Sequence, residues 1–394
     1  MSPYRRNPAA GPGWNDRFGL TRGATAAVAT MVAVGIAVSL LPPLLSLNLA
    51  ARGVSERSIG VLVATIALAA LAVTPLASRL AARFGTSNAI VASTTIAAGI
   101  MPMTWLFESF AVLLPLVFVY GATTTLCFTL SEYWINAATP EHRRGLVMGI
   151  YATALSVGFA TGPALVSLLG FASLRPFLVG ALIMVLSALP ALLARDVSPD
   201  FDAAPQRRFA AFIFAVPVAT AGVFVFAWAE QSSFTFLPLW GRELGLSTET
   251  AVLLTSAMVF GQVVLQIPIG LLSDRVDRRL VLMACGLVGA FGMAAASAAS
   301  GSTALLMMVL MVWGGASAGV YTVGLAHLAS RFRGGDLAGA NAAFIFCYAL
   351  GMLVGPVVVG DAMARAPAFG FPLVLGSAFA IYSILVLVRI VARA

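Results

Sequence analysis

Along the 394 residues, apolar runs of about 20 residues or more follow one another, separated by short polar breaks rich in Gly, Pro, Ser and Arg. Twelve runs can be placed, at 24–49, 58–80, 88–107, 109–137, 145–170, 174–194, 210–237, 248–273, 280–300, 303–329, 337–360 and 370–391. A helix of about 20 apolar residues crosses the hydrocarbon core of a bilayer. Only helices account for runs of this length, because backbone groups in lipid must find their partners within the segment. The pattern therefore predicts an all-α membrane protein with twelve transmembrane helices.

The polar breaks orient the chain. Twelve spans place both termini on one side. Eighteen arginines lie on that side, in the N-terminal segment, the even-numbered loops and the C-terminus. The other side has five: Arg52, Arg57, Arg175, Arg242 and Arg365. Basic residues collect in cytoplasmic loops, so both termini are expected in the cytoplasm, with the protein multi-pass in a bacterial inner membrane. Residues 1–23 read as a cytoplasmic N-terminal segment. The first span is too long for a signal-peptide core and reads as uncleaved. The longest polar interior stretch, 195–209, carries Asp196, Asp200 and Asp202 with Pro199 and Pro205. It reads as a cytoplasmic linker between a first six-helix bundle, 24–194, and a second, 210–394.

Composition narrows the function. The chain is 60% hydrophobic and 10% charged, whereas a soluble domain is about 25% charged. The net charge of +8 comes entirely from arginine, with no lysine in the chain. Its placement in loops argues for topology and against nucleic acid. Cys127, Cys285 and Cys347 fall inside apolar spans at no ligand or redox spacing and read as packing residues. His142 and His327 do not make a metal cluster, and His327 sits at the inner end of span ten. No interior loop exceeds about 15 residues, and no nucleotide loop or nucleophile constellation occurs. The chain is expected to be neither an enzyme nor a receptor, to need no cofactor or metal, and to act as a monomer.

The two halves repeat. Gly158-x-x-x-Gly162-Pro163 in span five recurs as Gly351-x-x-x-Gly355-Pro356 in span eleven. Gly121 matches Gly314, and Gly53-x-Ser55 matches Gly245-x-Ser247. A lone GxxxG is common wherever membrane helices approach closely. The same spacing in register with the span count points to two related bundles.

Between spans eight and nine stands Gly270-Leu-Leu-Ser-Asp274-Arg275-Val-Asp277-Arg278-Arg279. It resembles the G-x-x-x-D-R-x-G-R-R signature of the major facilitator superfamily, with Asp277 in place of the second glycine. The corresponding stretch of the first half, Ser78-Arg79-Leu-Ala-Ala82-Arg83-Phe-Gly85, keeps Arg83 but has Ala82 at the acidic position. With Ser131-Glu-Tyr-Trp-Ile-Asn-Ala137, Arg144-Gly-Leu-Val-Met-Gly-Ile-Tyr151 and Gln266-Ile-Pro-Ile-Gly270, the chain is similar to the YcaD-like branch, near drug:proton antiporters and sugar-transporter-like proteins. The resemblance implies two pseudo-symmetric six-helix bundles and secondary active transport of a small molecule by alternating access, with proton coupling. It implies that Asp274, Arg275, Arg278, Arg279 and Arg83 form a cytoplasmic latch favouring the outward-open state. The carboxylate at a helix junction complements a positive helix end, and the arginines bind carbonyl ends or lipid phosphates. A plain topology signal is the alternative. Gly158, Gly162 and Pro163 resemble the antiporter motif G-x-x-x-G-P-x-x-G-G, with Val166 and Ser167 replacing its last glycines. Gly removes bulk and Pro frees a carbonyl, which suits a hinge or close packing at these residues and at Gly351, Gly355 and Pro356. The family's fourth-span arginine is replaced by Val117.

Intramembrane acids are functional candidates by default. Thirteen of the 15 acids lie at span ends or in loops; Glu132 and Glu230 remain. Glu132 shares a helical stripe with Thr125, Thr129 and Asn136, facing a central cavity or pairing with Arg143 or Arg144. Glu230 precedes Gln231, Ser232 and Ser233 among Phe226, Trp228, Phe234 and Phe236, in a cavity wall or an unwound helix end. Gln262 and Gln266 share a stripe with Thr255 and Ser273, as cavity residues or as interhelical glue. Asn341 with Tyr348, and Tyr151 and Tyr321, complete the expected substrate and proton site. The uncoupled alternative is a facilitator of a small polar metabolite.

Overall fold

The computed structural model describes residues 21–140, 144–199, 210–332 and 334–392. The N-terminal segment up to residue 20, His142, Arg143 and residues 200–209 of the linker lie outside the described residues. Among the described residues, twelve long helices make up the fold. The first six are α1 (Arg22–Ala51), α2 (Glu56–Phe84), α3 (Thr86–Leu106), α4 (Phe110–Ala138), α5 (Arg144–Leu169) and α6 (Arg175–Leu193). The second six are α7 (Pro217–Glu243), α8 (Thr248–Arg275), α9 (Arg278–Ala298), α10 (Thr303–Ala329), α11 (Gly334–Arg365) and α12 (Pro367–Val391). Eleven of them are long and apolar enough to cross a membrane. The exception is α7, where Glu230-Gln231-Ser232-Ser233 lowers the hydropathy of every window through its middle.

One span is placed differently from its expected position. The seventh run, 210–237, divides into a single turn, Ala210–Ala215, and a helix that begins at Pro217 and continues to Glu243. Val216 lies at φ −132°, ψ 62°, outside helical geometry. Proline removes an N–H and pushes the preceding residue out of the helical region, so the run breaks there. The helix is unbroken through Glu230. Span eleven is also longer than 337–360 at both ends. Its charged ends, Asp336, Asp361 and Arg365, extend past the apolar stretch that sequence patterning detects.

The internal repeat is visible atom by atom. Gly53 and Gly245 adopt φ of 78° and 82° after α1 and α7, a conformation that costs a residue with a Cβ. Two residues later Ser55 and Ser247 cap α2 and α8, accepting from the Ser58 and Thr250 amides at 3.3 Å. Within the first bundle α1 packs on α5, α2 on α4 and α3 on α6; in the second α7 packs on α11, α8 on α10 and α9 on α12. The repeated glycines sit at these crossings. A Cβ at Gly121 would lie 2.7 Å from Ile66 Cα, and one at Gly314 2.8 Å from Met258 Cγ. A Cβ at Gly158 would stand 2.7 Å from the Val32 carbonyl, and at Gly162 2.6 Å from that of Ile36. At Gly355 it would stand 2.8 Å from the Trp228 carbonyl, and Gly351 faces Phe224 in the same way. Backbone thus touches backbone, the contact that small residues allow in membranes. Large apolar side chains on α6, α9 and α12, such as Leu189, Phe291 and Ile381, remain exposed, the arrangement a lipid-facing surface requires.

Across the bundles α2 packs on α11 and α5 on α8. Exchanging the halves converts one pair into the other, so the interface is itself two-fold.

Candidate functional site

The central helices α1, α4, α7 and α10 change character along their length. On α1, Thr25, Ala29, Ala33 and Ile36 are at least partly exposed at helical spacing, but every residue from Ser39 to Leu49 is buried. On α7 burial is complete from Ser232 to Gly241. On α4 exposure runs down Thr125, Phe128, Glu132 and Asn136, and on α10 down Tyr321, Leu325 and Ala329. A cavity therefore opens between the halves toward the arginine-rich face and closes toward the arginine-poor one. The closure has named contacts. Phe159 of α5 meets Phe234 of α7 with ring centroids 6.0 Å apart. Ser256 Oγ donates to the Ala160 carbonyl at 3.0 Å. Arg57 of α2 lies 3.6 Å from Asp361 of α11, which also holds Arg365 at 2.8 Å.

Each half brings one carboxyl group to this cavity, and each carboxyl accepts a tyrosine hydroxyl from a neighbouring helix. Tyr151 of α5 donates to Glu132 Oε1 of α4 at 3.0 Å. Tyr348 of α11 donates to Glu230 Oε2 of α7 at 2.7 Å. Each bond ties its carboxyl group to a helix other than its own, α4 to α5 and α7 to α11. Tyr321 of α10 lies within electrostatic reach of both carboxyls. Its ring meets Tyr348 edge-on at 6.2 Å and Phe226 at 5.3 Å, and it packs on Phe344 at 5.4 Å. Glu132 with Tyr151 in one half, and Glu230 with Tyr348 and the adjoining Tyr321 in the other, make up the polar string of the site. Among the described side chains no arginine pairs with either carboxyl group; Arg143 and the side chain of Arg144, the alternative partners expected for Glu132, lie outside the described residues. Trp228 Nε1, Ser232 Oγ and Ser233 Oγ on α7, and Asn341 Oδ1 on α11, are buried and lack hydrogen-bond partners among the described residues.

The remaining expected residues fall in several places. Gln266 Nε2 donates to Thr322 Oγ1 at 3.0 Å and ties α8 to α10. Gln262, one turn away, is partly buried on α8. Asp274 is exposed and pairs with Arg278 at 3.6 Å, within its own half. Arg278 also donates to the Ala326 carbonyl of α10 at 2.9 Å. Arg275 closes α8, and Arg83 lies 5.4 Å over the ring of Phe84. Asp277, the departure from the signature glycine, caps α9 by accepting from the Arg279 amide at 2.8 Å. Sequence reading missed the Arg57–Asp361–Arg365 group, whose only signal was charge at matched span ends. It placed the tyrosines in the site without showing that Tyr151 and Tyr348 hold the acids.

Comparisons with known proteins agree with this architecture. A model of the Major Facilitator Superfamily matches residues 24–252 and 219–393. YfkF, an MFS-type transporter of Bacillus subtilis, is 25% identical over 237 residues, 58% of this chain and 60% of its own length. YcaD of Salmonella enteritidis is 24% identical over 275 residues, 68% of this chain and 69% of its own. Among solved structures, a variant of the nucleoside transporter NupG superposes with a TM-score of 0.78 at 15% identity, over 93% of this chain and 99% of that one. A D-xylose–proton symporter gives 0.71 at 16% identity, over 93% and 96%. At such identities the structural likeness establishes the fold alone. Matched by the family model through nearly all its helices, the chain belongs to the Major Facilitator Superfamily, a family of membrane transporters.

Proposed function

We propose that the protein is a proton-coupled secondary transporter that moves a small molecule across the bacterial cytoplasmic membrane by alternating access. The observation that carries this reading is the placement of Glu132 and Glu230, one per half, in a cavity between the bundles, with no basic partner for either among the described side chains. An ionised carboxylate inside a membrane protein costs several kcal/mol unless it is paired or neutralised. A group so placed takes up a proton when its surroundings are dry and releases one when the cavity is wet. That is the requirement for coupling proton movement to the exchange of access. The arginine-rich face is assigned to the cytoplasm, with both termini on it. The described state is then inward-open, with Phe159–Phe234 and Arg57–Asp361 as its outer closure. Asp274, paired with Arg278 in its own half, is read as a latch engaged in the opposite state. Gly158, Gly162 and Pro163 with their repeats are read as the points about which α5 and α11 bend. The chain is taken to work as a monomer, each site being built from one chain.

The test is transport in proteoliposomes with an imposed pH gradient. Substrate accumulation should follow the gradient, and Glu132→Gln and Glu230→Gln should each abolish that response. Flux set by the substrate gradient alone, unchanged in both variants, would establish the uncoupled facilitator instead.

A further inference from the structure

The string described above has a composition that selects its ligand. Both carboxyl groups accept a single described side-chain donor each, a tyrosine hydroxyl. The titratable groups near Glu230 are Tyr348 of α11, which donates to it, and Tyr321 of α10, whose ring meets that of Tyr348, with Glu132 within electrostatic reach of both tyrosines. Tyr382 of α12 faces α7 two turns away, at Gly222. Helix α1 carries no titratable residue after Arg22, and those of α8 are confined to its ends. Tyr348, which holds Glu230, belongs to a cluster of rings with Phe226, Tyr321 and Phe344. Aromatic faces are negative and attract a cation seated over them. A neutral polyhydroxyl ligand would need many donors and acceptors, and this nest offers few. An anion would meet two carboxyl groups and the negative faces of four rings.

We propose, building on the transport reading above, that the substrate is an organic cation with an aromatic or apolar body, its positive centre seated between Glu230 and the Tyr321 ring. Glu132, held by Tyr151 in the other half, is then the proton carrier. When the cation enters, the proton on Glu230 leaves to water and one positive charge replaces another, so the net charge of the nest is unchanged. Proton and substrate thereby compete for one carboxyl group, and Glu132 carries its proton in the other half.

The probes are tetraphenylphosphonium and tetraphenylborate, which share a shape and differ in the sign of their charge. Binding to the full chain in lipid nanodiscs is read by equilibrium dialysis at acidic and basic pH, with empty nanodiscs subtracted for partitioning. The expected result is saturable binding of the phosphonium and none of the borate, weaker at acidic pH. Glu230→Gln should weaken phosphonium binding by roughly tenfold or more, as expected for loss of a desolvated charge partner. Glu230→Asp should restore most of it, which separates loss of charge from loss of fold. Equal binding of both ions, or phosphonium binding unchanged by Glu230→Gln, would overturn the assignment. Transport driven by a pH gradient without selective phosphonium binding would sink this inference and leave proton coupling standing. Selective phosphonium binding with flux indifferent to pH would support the assignment and sink the coupling.

Discussion

Gly60→Ala tests the alternating-access reading at a single atom. Gly60 lies near the arginine-poor end of α2, where it meets α11 across the two halves. A Cβ there would press on the Pro356 carbonyl group, standing 2.9 Å from its carbon and 3.3 Å from Val357 Cα. The obstacle is backbone, so a side-chain rotation does not relieve it. Overpacking of this kind costs about 1–3 kcal/mol. Because the two surfaces belong to different halves, the strain is present when this face is closed and released when it opens. The equilibrium should shift toward the outward-open state by roughly 5- to 160-fold, with RT near 0.6 kcal/mol. Ser233, buried one turn beyond Glu230 on the sealed side, is a suitable reporter when changed to cysteine. Its rate of maleimide labelling in membranes should rise with that equilibrium. The three native cysteines are buried and provide a low background. An unchanged labelling rate in intact, correctly inserted Gly60→Ala protein would refute the assignment of this contact to one state.

Three further substitutions separate state from stability. Gly121→Ala meets Ile66 Cα inside the first half, so it should lower thermal stability by about 1–3 kcal/mol without changing Ser233 labelling. Asp361→Asn breaks an ion group whose arginines are largely exposed; exposed pairs are worth about 0.2–1 kcal/mol, so labelling should rise only about 1.4- to 5-fold, and less in high salt. Asp274→Asn should slow transport in proteoliposomes while melting temperature stays within a degree or two, because in the described state its pairing with Arg278 is local and exposed.

The scaffold was legible because lipid imposes it: apolar length fixes the spans, and the Gly158/Gly351 and Gly121/Gly314 repeats mark the same crossings in both halves. The break before Pro217 was hidden inside a continuous apolar run, since hydropathy does not register a missing N–H. The carboxyl groups at positions 132 and 230 stood out because charge is rare in spans. Their partners did not, because Tyr151 and Tyr348 are separated from them by 19 and 118 residues and tyrosine is ordinary in helix packing. The role of Asp277 was equally hidden, as a motif comparison registers a lost glycine and only the backbone shows the cap that replaced it. Gln266 illustrates the reverse: a polar residue on the expected stripe that spends its amide on Thr322.

The central claim, that Glu132 and Glu230 couple proton movement to transport, is tested most directly by recording protons rather than substrate. Proteoliposomes loaded with a pH-sensitive dye and given an outward or inward substrate gradient should show a substrate-driven change of internal pH. That change should vanish in the Glu132→Gln/Glu230→Gln protein at equal reconstitution. A pH signal of undiminished size in the double variant would contradict the account.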